Sequence, residues 1–211
     1  MYNQGRNLPN GRNAAVGQEI EWKFAADDAL LRAVRAAYPG AYRTITMETT
    51  YFDTWDGKLT GRRVTLRRRL ENGESVCTVK TGATGRCRGE WECRADSIEE
   101  GLLELCKLSG LPELAHVTPG ALVPLCGARF TRQALLLPLE DGEVELALDA
   151  GQLLGGGSAL PFWEIEVEGK RGDFASWERF ADCLAARFSL KAQPLSKFRR
   201  ALALAKGENH G

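Results

Sequence analysis

The feature that most restricts how this chain can fold is an alternation. In segment after segment, charged residues recur at every second position with apolar residues between them. Glu19-Ile20-Glu21-Trp22-Lys23-Phe24 puts Glu19, Glu21 and Lys23 on one face of a strand and Ile20, Trp22 and Phe24 on the other. Arg88, Glu90, Glu92 and Arg94 oppose Trp91 and Cys93; Glu143, Glu145 and Asp149 oppose Val144, Leu146 and Leu148. Glu164, Glu166 and Glu168 oppose Trp163, Ile165 and Val167, Arg67 and Arg69 share a face against Leu66, and Lys80 shares one with Thr78 against Val79. One such strand reads as the wet side of an antiparallel sheet. Many together, beside helices that carry apolar stripes, require a surface for those stripes to cover.

Turn and cap signals order the elements. A strand runs from about Gln18 to Phe24, and Asp27 or Asp28 caps a helix that Pro39-Gly40 stops after Tyr38. Thr44 to Asp53 reads as a strand, and Arg62–Leu70 and Ser75–Lys80 form a hairpin across Asn72-Gly73. A strand from Arg86 to Arg94 precedes a helix opened by Ser97 with Glu100 three residues on, a capping-box spacing. Pro112 to Gly127 reads as a broken connection. Ala128–Leu137 and Glu143–Ala150 pair as a second hairpin, Gly155-Gly156-Gly157 reads as a flexible loop, and Phe162 to Glu168 is a strand. A helix capped by Asp173 reaches about Phe188, and a basic helix spans Ser196 to Lys206. The layout is a leader over residues 1–16, one domain over 17–206 and a tail over 207–211.

About eight strands joined by short turns pair antiparallel. If stripes such as Leu102, Leu103, Leu105 and Cys106, or Phe174, Trp177 and Phe180, cover the apolar side of a closed sheet, the charged side faces inward. The expected fold is α+β: an eight-stranded antiparallel closed barrel with helices packed outside. A barrel of that size holds side chains and one small ligand.

The totals narrow the chemistry. Lys and Arg number 28, as do Asp and Glu, so no global field favours nucleic acid or a membrane surface, and an anion site must come from local clustering. No apolar run is long enough to span a bilayer, and residues 1–16 lack the apolar stretch of a signal peptide. None of the six cysteines forms a C-x-x-C pair, which reads as reduced thiols in a cytoplasmic protein. The two histidines lie in the tail and in a Pro-flanked connection, an unsuitable supply for a histidine relay or a histidine-ligated metal. No Gly-rich phosphate loop precedes a helix. Grouped carboxylates suit a hard divalent cation, and grouped Arg and Lys suit phosphate oxygens. Together they describe a site for a metal–polyphosphate complex.

In order along the chain, Glu19-x-Glu21-x-Lys23, Tyr51-Phe52-Asp53-Thr54, Leu66-Arg67-Arg68-Arg69, Thr78-Val79-Lys80 and Arg88-x-Glu90-x-Glu92 resemble the signatures of the CYTH superfamily, the triphosphate tunnel metalloenzymes. Arg129–Arg132, Leu148-Asp149, Glu164-Ile165-Glu166 and Ser196-Lys197-Phe198 continue the resemblance, which covers about Gly17 to Leu204. It implies a tunnel that binds a small triphosphate with magnesium or manganese and hydrolyses it. Glu19, Glu21, Asp149, Glu164 and Glu166 would hold metal; Lys23, Arg67, Arg69, Lys80, Arg132 and Lys197 would hold phosphates. Glu21, Lys23, Glu166 and Lys197 would act in catalysis, and Glu90 and Glu92 would bind metal or pair with the arginines. Arg132 is favoured over Arg129, Glu168 and Arg94 are expected at the rim, and Arg68 is expected outside and solvated. Inorganic triphosphate is the first substrate reading. An adenylate cyclase, a thiamine or nucleoside triphosphatase, and a non-catalytic polyphosphate-binding module are the others. A tunnel-mouth aromatic such as Trp22, Trp55 or Trp91 could stack a base, though each more often serves packing. Oligomeric state is left open.

Overall fold

In the computed structural model, residues 15–208 are described, so most of the expected leader and the end of the tail lie outside the described residues. Among the described residues, nine strands and six α-helices follow in order: β1 (Ala15–Ala25), α1 (Asp28–Ala37), β2 (Arg43–Thr54), α2 (Lys58–Gly61), β3 (Thr65–Glu71), β4 (Glu74–Lys80), β5 (Cys87–Arg94), α3 (Ile98–Ser109), α4 (Pro112–Ala115), β6 (Leu122–Leu139), β7 (Gly142–Gly155), β8 (Ser158–Gly172), α5 (Phe174–Phe188), β9 (Lys191–Ala192) and α6 (Lys197–Ala205). The strands lie in the order β5-β4-β3-β2-β6-β7-β8-β1, and β1 pairs with β5 to close an eight-stranded barrel. All pairings are antiparallel. Closure depends on β1 splitting its partners. Its first half, Ala15–Ile20, pairs with β5, and its second half, Glu21–Ala25, pairs with β8. The short β9 adds to the end of β1.

The alternation fixes which side faces in. Trp22, Phe24, Leu146, Ile165 and Val167 point outward and are covered by Leu31 and Val34 of α1 and by Trp177, Ala181 and Leu184 of α5. The α5 residues recur at the i, i+4, i+7 spacing of one helical face. Leu66, Cys77 and Val79 form a second outer core under Ile98, Leu102 and Leu105 of α3. Leu103, placed in the α3 stripe from the sequence, is exposed, because it falls off that face. The third cluster is on the inner side: Tyr51, Phe130, Leu153 and Phe162 meet Phe198 and Ala201 of α6. The inner wall is therefore charged along part of its length and apolar at one end, where α6 sits. Among the described residues, no helix is long and apolar enough to cross a membrane.

The strands run longer than the sequence suggests. Ala15 and Val16, assigned to the leader, already belong to β1. β6 takes in Leu122–Gly127, read as connection, because Pro124 sits where the β2–β6 register shifts. A bulge tolerates a residue with no N–H to donate. Pro161 lies in the first part of β8, before Glu164, where β7 pairs with it and β1 does not, so its missing donor costs no second ladder. Conversely, Arg62–Val64 are not strand, and a four-residue helix, α2, precedes them. Asn72 and Gly73, with φ of 51° and 90°, form the expected two-residue hairpin turn. Gly156 and Gly157 (φ of 58° and 78°) form another between β7 and β8 rather than a flexible loop. Gly155 lies against α6: a Cβ there would come within 2.5 Å of the Ala201 carbonyl oxygen.

Two measurements check this packing. Leu66→Ala and Ile165→Ala each remove a fully buried side chain and should lower unfolding free energy by about 2–5 kcal/mol in denaturant titrations, against under about 0.5 kcal/mol for Leu103→Ala. Cys183 is exposed, whereas burial pushes the Cys77 and Cys126 thiols up to about 12. A thiol reagent at neutral pH should label Cys183 in the native protein and reach Cys77 and Cys126 only after denaturation.

Candidate functional site

The barrel encloses a cavity of about 250 Å³, where a single water needs only about 10–15 Å³. Nine Lys and Arg side chains and eight Glu side chains line it. They fall into neighbouring groups set by the strand register.

The first group is built by β1, β4 and β5. The Lys80 Nζ donates to both carboxylate oxygens of Glu19 at 2.9 Å and lies 2.9 Å from Glu90. Arg88 of β5 pairs with Glu19 and with Glu21, and Lys23 lies 3.2 Å from Glu21. Burial alone would raise the Glu19 carboxyl; Lys80 and Arg88 outweigh it and hold the group well below the usual carboxylate range. Burial raises Glu90, opposed by Lys80.

The second group is on β3. Arg67 lies 3.5 Å from Glu90 and 3.6 Å from Glu92, and Arg69 lies 2.9 Å from Glu71 and 3.7 Å from Glu92. Thr78 donates to Glu92 at 2.9 Å. The buried Nε of Arg67 lacks a hydrogen-bond partner, and that of Arg69 has its 2.9 Å ion-pair contact with Glu71 without hydrogen-bond alignment. Buried guanidinium donors left in this state are costly and suit an incoming acceptor.

The third group joins β6, β7, β8 and α6. Arg132 grips Asp149 with two bonds of 2.7 Å and also pairs with Glu166. Lys197, the first residue of α6, lies 2.9 Å from Asp149 and 2.6 Å from Glu166, and pairs with Glu164. Arg200, one turn along, pairs with Glu164. Oxygens of Asp149, Glu164 and Glu166 lie within 4.8 Å of one another. Burial raises the Glu164 carboxyl, with Lys197 opposing, whereas Glu166, which burial would also raise, is carried well below the usual range by Arg132 and Lys197. Three hard oxygen donors so close together fit a divalent cation, and this acidic cluster could hold one. The pairing of Lys23 with Glu166 across β1 and β8 sets the first and third groups side by side.

Of the residues the sequence singles out, Glu19, Glu21, Lys23, Arg67, Arg69, Lys80, Arg132, Glu166 and Lys197 line the cavity, and Asp149 and Glu164 are buried against Lys197. Glu19 and Glu21 stand with Lys80 and Arg88 rather than in the acidic cluster. Glu90 and Glu92 are paired with arginine and lysine. Arg129 is exposed and pairs with Glu48. Arg94 is outside the cavity, paired with Glu74, while Glu168 lines the wall, pushed up to about 7 by burial against the pull of Lys170. Arg68 is on the outer side but half-buried, donating to Ser75 at 2.8 Å rather than solvated. In Tyr51-Phe52-Asp53-Thr54, Tyr51 lines the cavity. Asp53 is buried and accepts from the N–H groups of Thr54, Leu59 and Thr60, fixing α2. Trp22 and Trp91 belong to the outer cores, and Trp55 is 84% exposed and does not line the cavity.

Several lining residues were left out of the predicted ligand set. Arg88 shares the parity of Glu90 and Glu92. Lys170 continues the row 164, 166, 168 past the point where β8 was expected to end, and Arg43 precedes the expected start of β2. Arg200, which does not line the cavity but pairs with Glu164, is three residues from Lys197 on the same helical face and was also left out.

Residues 17–202 match the CYTH domain. An inorganic triphosphatase from Haemophilus influenzae is 26% identical over 161 residues, which is 75% of this chain but 46% of the relative, so the chain spans less than half the length of that protein. Among solved structures, a Hippeastrum protein described as an adenylyl cyclase candidate with a dominant triphosphatase activity superposes with a TM-score of 0.64 at 19% identity, covering 90% of this chain and 97% of its own. A Pyrococcus horikoshii protein gives 0.61 at 20% identity, covering 89% and 99%. At such identities the likeness is one of fold. The sequence match extends from the first charged strand to the C-terminal helix, and the protein belongs to the CYTH domain family.

Proposed function

We propose that the protein, with residues 17–206 as one tunnel domain, hydrolyses inorganic triphosphate to pyrophosphate and phosphate in this cavity, with magnesium or manganese. The observation that carries the reading is a charged cavity lined by Arg67, whose buried Nε has no partner, by Arg69 and by Glu166, with Asp149 and Glu164 clustered behind Glu166. Arg67, Arg69, Lys80 and Arg132 would take phosphate oxygens, the arginines through their planar forks. Asp149, Glu164 and Glu166 would hold a divalent cation, with Glu19 and Glu21 as further acidic ligands. Such an ion would supply Lewis-acid polarisation of a phosphoryl oxygen. Glu21, Lys23, Glu166 and Lys197 lie around one point of the wall, linked by contacts of 3.2 Å (Lys23–Glu21) and 2.6 Å (Lys197–Glu166) and by the Lys23–Glu166 register. We place them at the reacting phosphorus. Water adds to the terminal phosphorus, the bridging P–O bond breaks, pyrophosphate leaves, and the cations stabilise the charge that shifts onto oxygen. Trp22 and Trp91 lie in the outer cores and Trp55 away from the cavity, so none of the three is placed to stack a nucleobase, while Tyr51, Phe130 and Phe198 line the wall; the inorganic substrate is preferred because charged groups dominate the lining. The relatives described as triphosphatases support the same choice.

Phosphate release is expected from tripolyphosphate with magnesium or manganese, lost with chelator and restored by adding the metal back. Cyclic AMP formed from ATP, or turnover confined to thiamine triphosphate, would reassign the substrate, and binding without turnover would make the protein a polyphosphate-binding module. Glu166→Gln should reduce kcat by about 10²-fold or more with the circular dichroism spectrum unchanged. Arg67→Ala should reduce kcat/KM by about 10²-fold through lost phosphate contacts; wild-type kinetics in this variant would remove Arg67 from the site.

A further inference from the structure

Lys197 occupies an unusual position. A cation in the first turn of a helix faces the positive end of the helix dipole, and this one is 90% shielded from solvent. What holds it is the acidic cluster itself: its single ammonium contacts all three carboxylates that could bind a metal, Asp149, Glu164 and Glu166. Arg132 and Arg200 complete the set, so three carboxylates face three basic side chains. A divalent cation entering this cluster would meet oxygens already neutralised and would add two uncompensated charges at a buried point, which is strongly unfavourable. Two changes remove the conflict: an anion that neutralises the basic groups, and departure of the ammonium from the carboxylates. Arg132 is held by a two-bond fork to Asp149, whereas a lysine has a flexible stem and a compact, rotatable head. Lys197 Nζ also lies 5.3 Å and 5.5 Å from the ring centres of Phe130 and Phe162, where a cation is tolerated when it leaves a carboxylate.

We propose that Lys197 is a tethered counter-ion that fills the seat of the divalent cation until a polyphosphate arrives, so that metal and triphosphate bind together and each binds weakly alone. On release from the carboxylates, the ammonium is free to follow the incoming phosphate. The proposal rests on the triphosphatase reading above and adds an order and a coupling to it.

The test measures manganese binding by calorimetry and by the electron paramagnetic resonance signal of unbound Mn²⁺, with and without a tripolyphosphate analogue whose bridging oxygens are replaced by imido groups. Wild-type protein should bind Mn²⁺ at least tenfold more tightly with the analogue than without it. Lys197→Met should bind Mn²⁺ alone at least tenfold more tightly than wild type, and the analogue should add less. Lys197→Gln gives the same comparison if the methionine variant does not fold. Equal Mn²⁺ affinity in wild type and the Lys197 variants overturns the proposal, as does tight wild-type binding of Mn²⁺ that the analogue does not improve. Either result leaves the triphosphatase reading intact provided that Mn²⁺ and analogue still bind and Glu166→Gln loses the metal. No Mn²⁺ uptake by wild type, even with the analogue, ends the metal-dependent reading and the proposal with it.

Discussion

Charges can be kept inside a barrel only if they neutralise one another, and this requirement shapes the structure. An isolated buried carboxylate or ammonium costs far more than the fold has to spare. Here nearly equal numbers of cationic and anionic side chains line the cavity, and each group is cross-linked between strands: Lys80 to β1 and β5, Arg67 to β5, Arg132 to β7 and β8. The strand order creates those pairings. Because β1 is bonded to β5 along one half and to β8 along the other, its carboxylates reach Arg88 on one side while Lys23 stands beside Glu166 on the other. Without the β1–β5 closure, Glu19 and Glu21 would be parted from Lys80 and Arg88.

Such a lattice is a poor source of stability. Apolar side chains of similar volume in the same positions would hold a barrel together as well or better. The stabilising burial is on the outside, where α1, α5 and α3 cover the apolar face, and at one end, where α6 covers aromatic side chains. The interior is therefore free to carry groups chosen for a ligand. Its near balance also limits the ligand: a bare polyanion would have to displace the carboxylates from their partners, whereas a polyanion accompanied by divalent cations brings little net charge and can satisfy both sets at once.

Much of this was legible from the chain, because period-two alternation survives any uncertainty about ends. The parity that put Glu19, Glu21 and Lys23 on one face, Arg67 with Arg69, and Glu164 with Glu166 is the parity of the cavity wall. The limits of the strands were less legible. Proline and glycine ordinarily mark breaks, yet Pro124 is absorbed at a bulge, Pro161 at a stretch with one neighbour, and Gly156-Gly157 in a tight hairpin. Strands read too short cost residues of the site: Arg43 and Lys170 line the wall just past the ends that were expected. Which acid pairs with which base was not legible at all, since it depends on register between strands distant in sequence.

The C-terminal helix shows how these levels meet. α6 is fixed by apolar contacts of Phe198 and Ala201 with the inner wall and by the bare backbone of Gly155, which leaves no room for a side chain between hairpin and helix. That seating decides where the first turn points. It carries Lys197 and Arg200 to the carboxylates of β7 and β8, so the element that closes one end of the cavity also supplies cations to its acidic cluster. A change in how α6 packs therefore cannot leave the chemistry of the cluster untouched. The triple glycine, which has no chemical function of its own, acts on the site through the position of a helix.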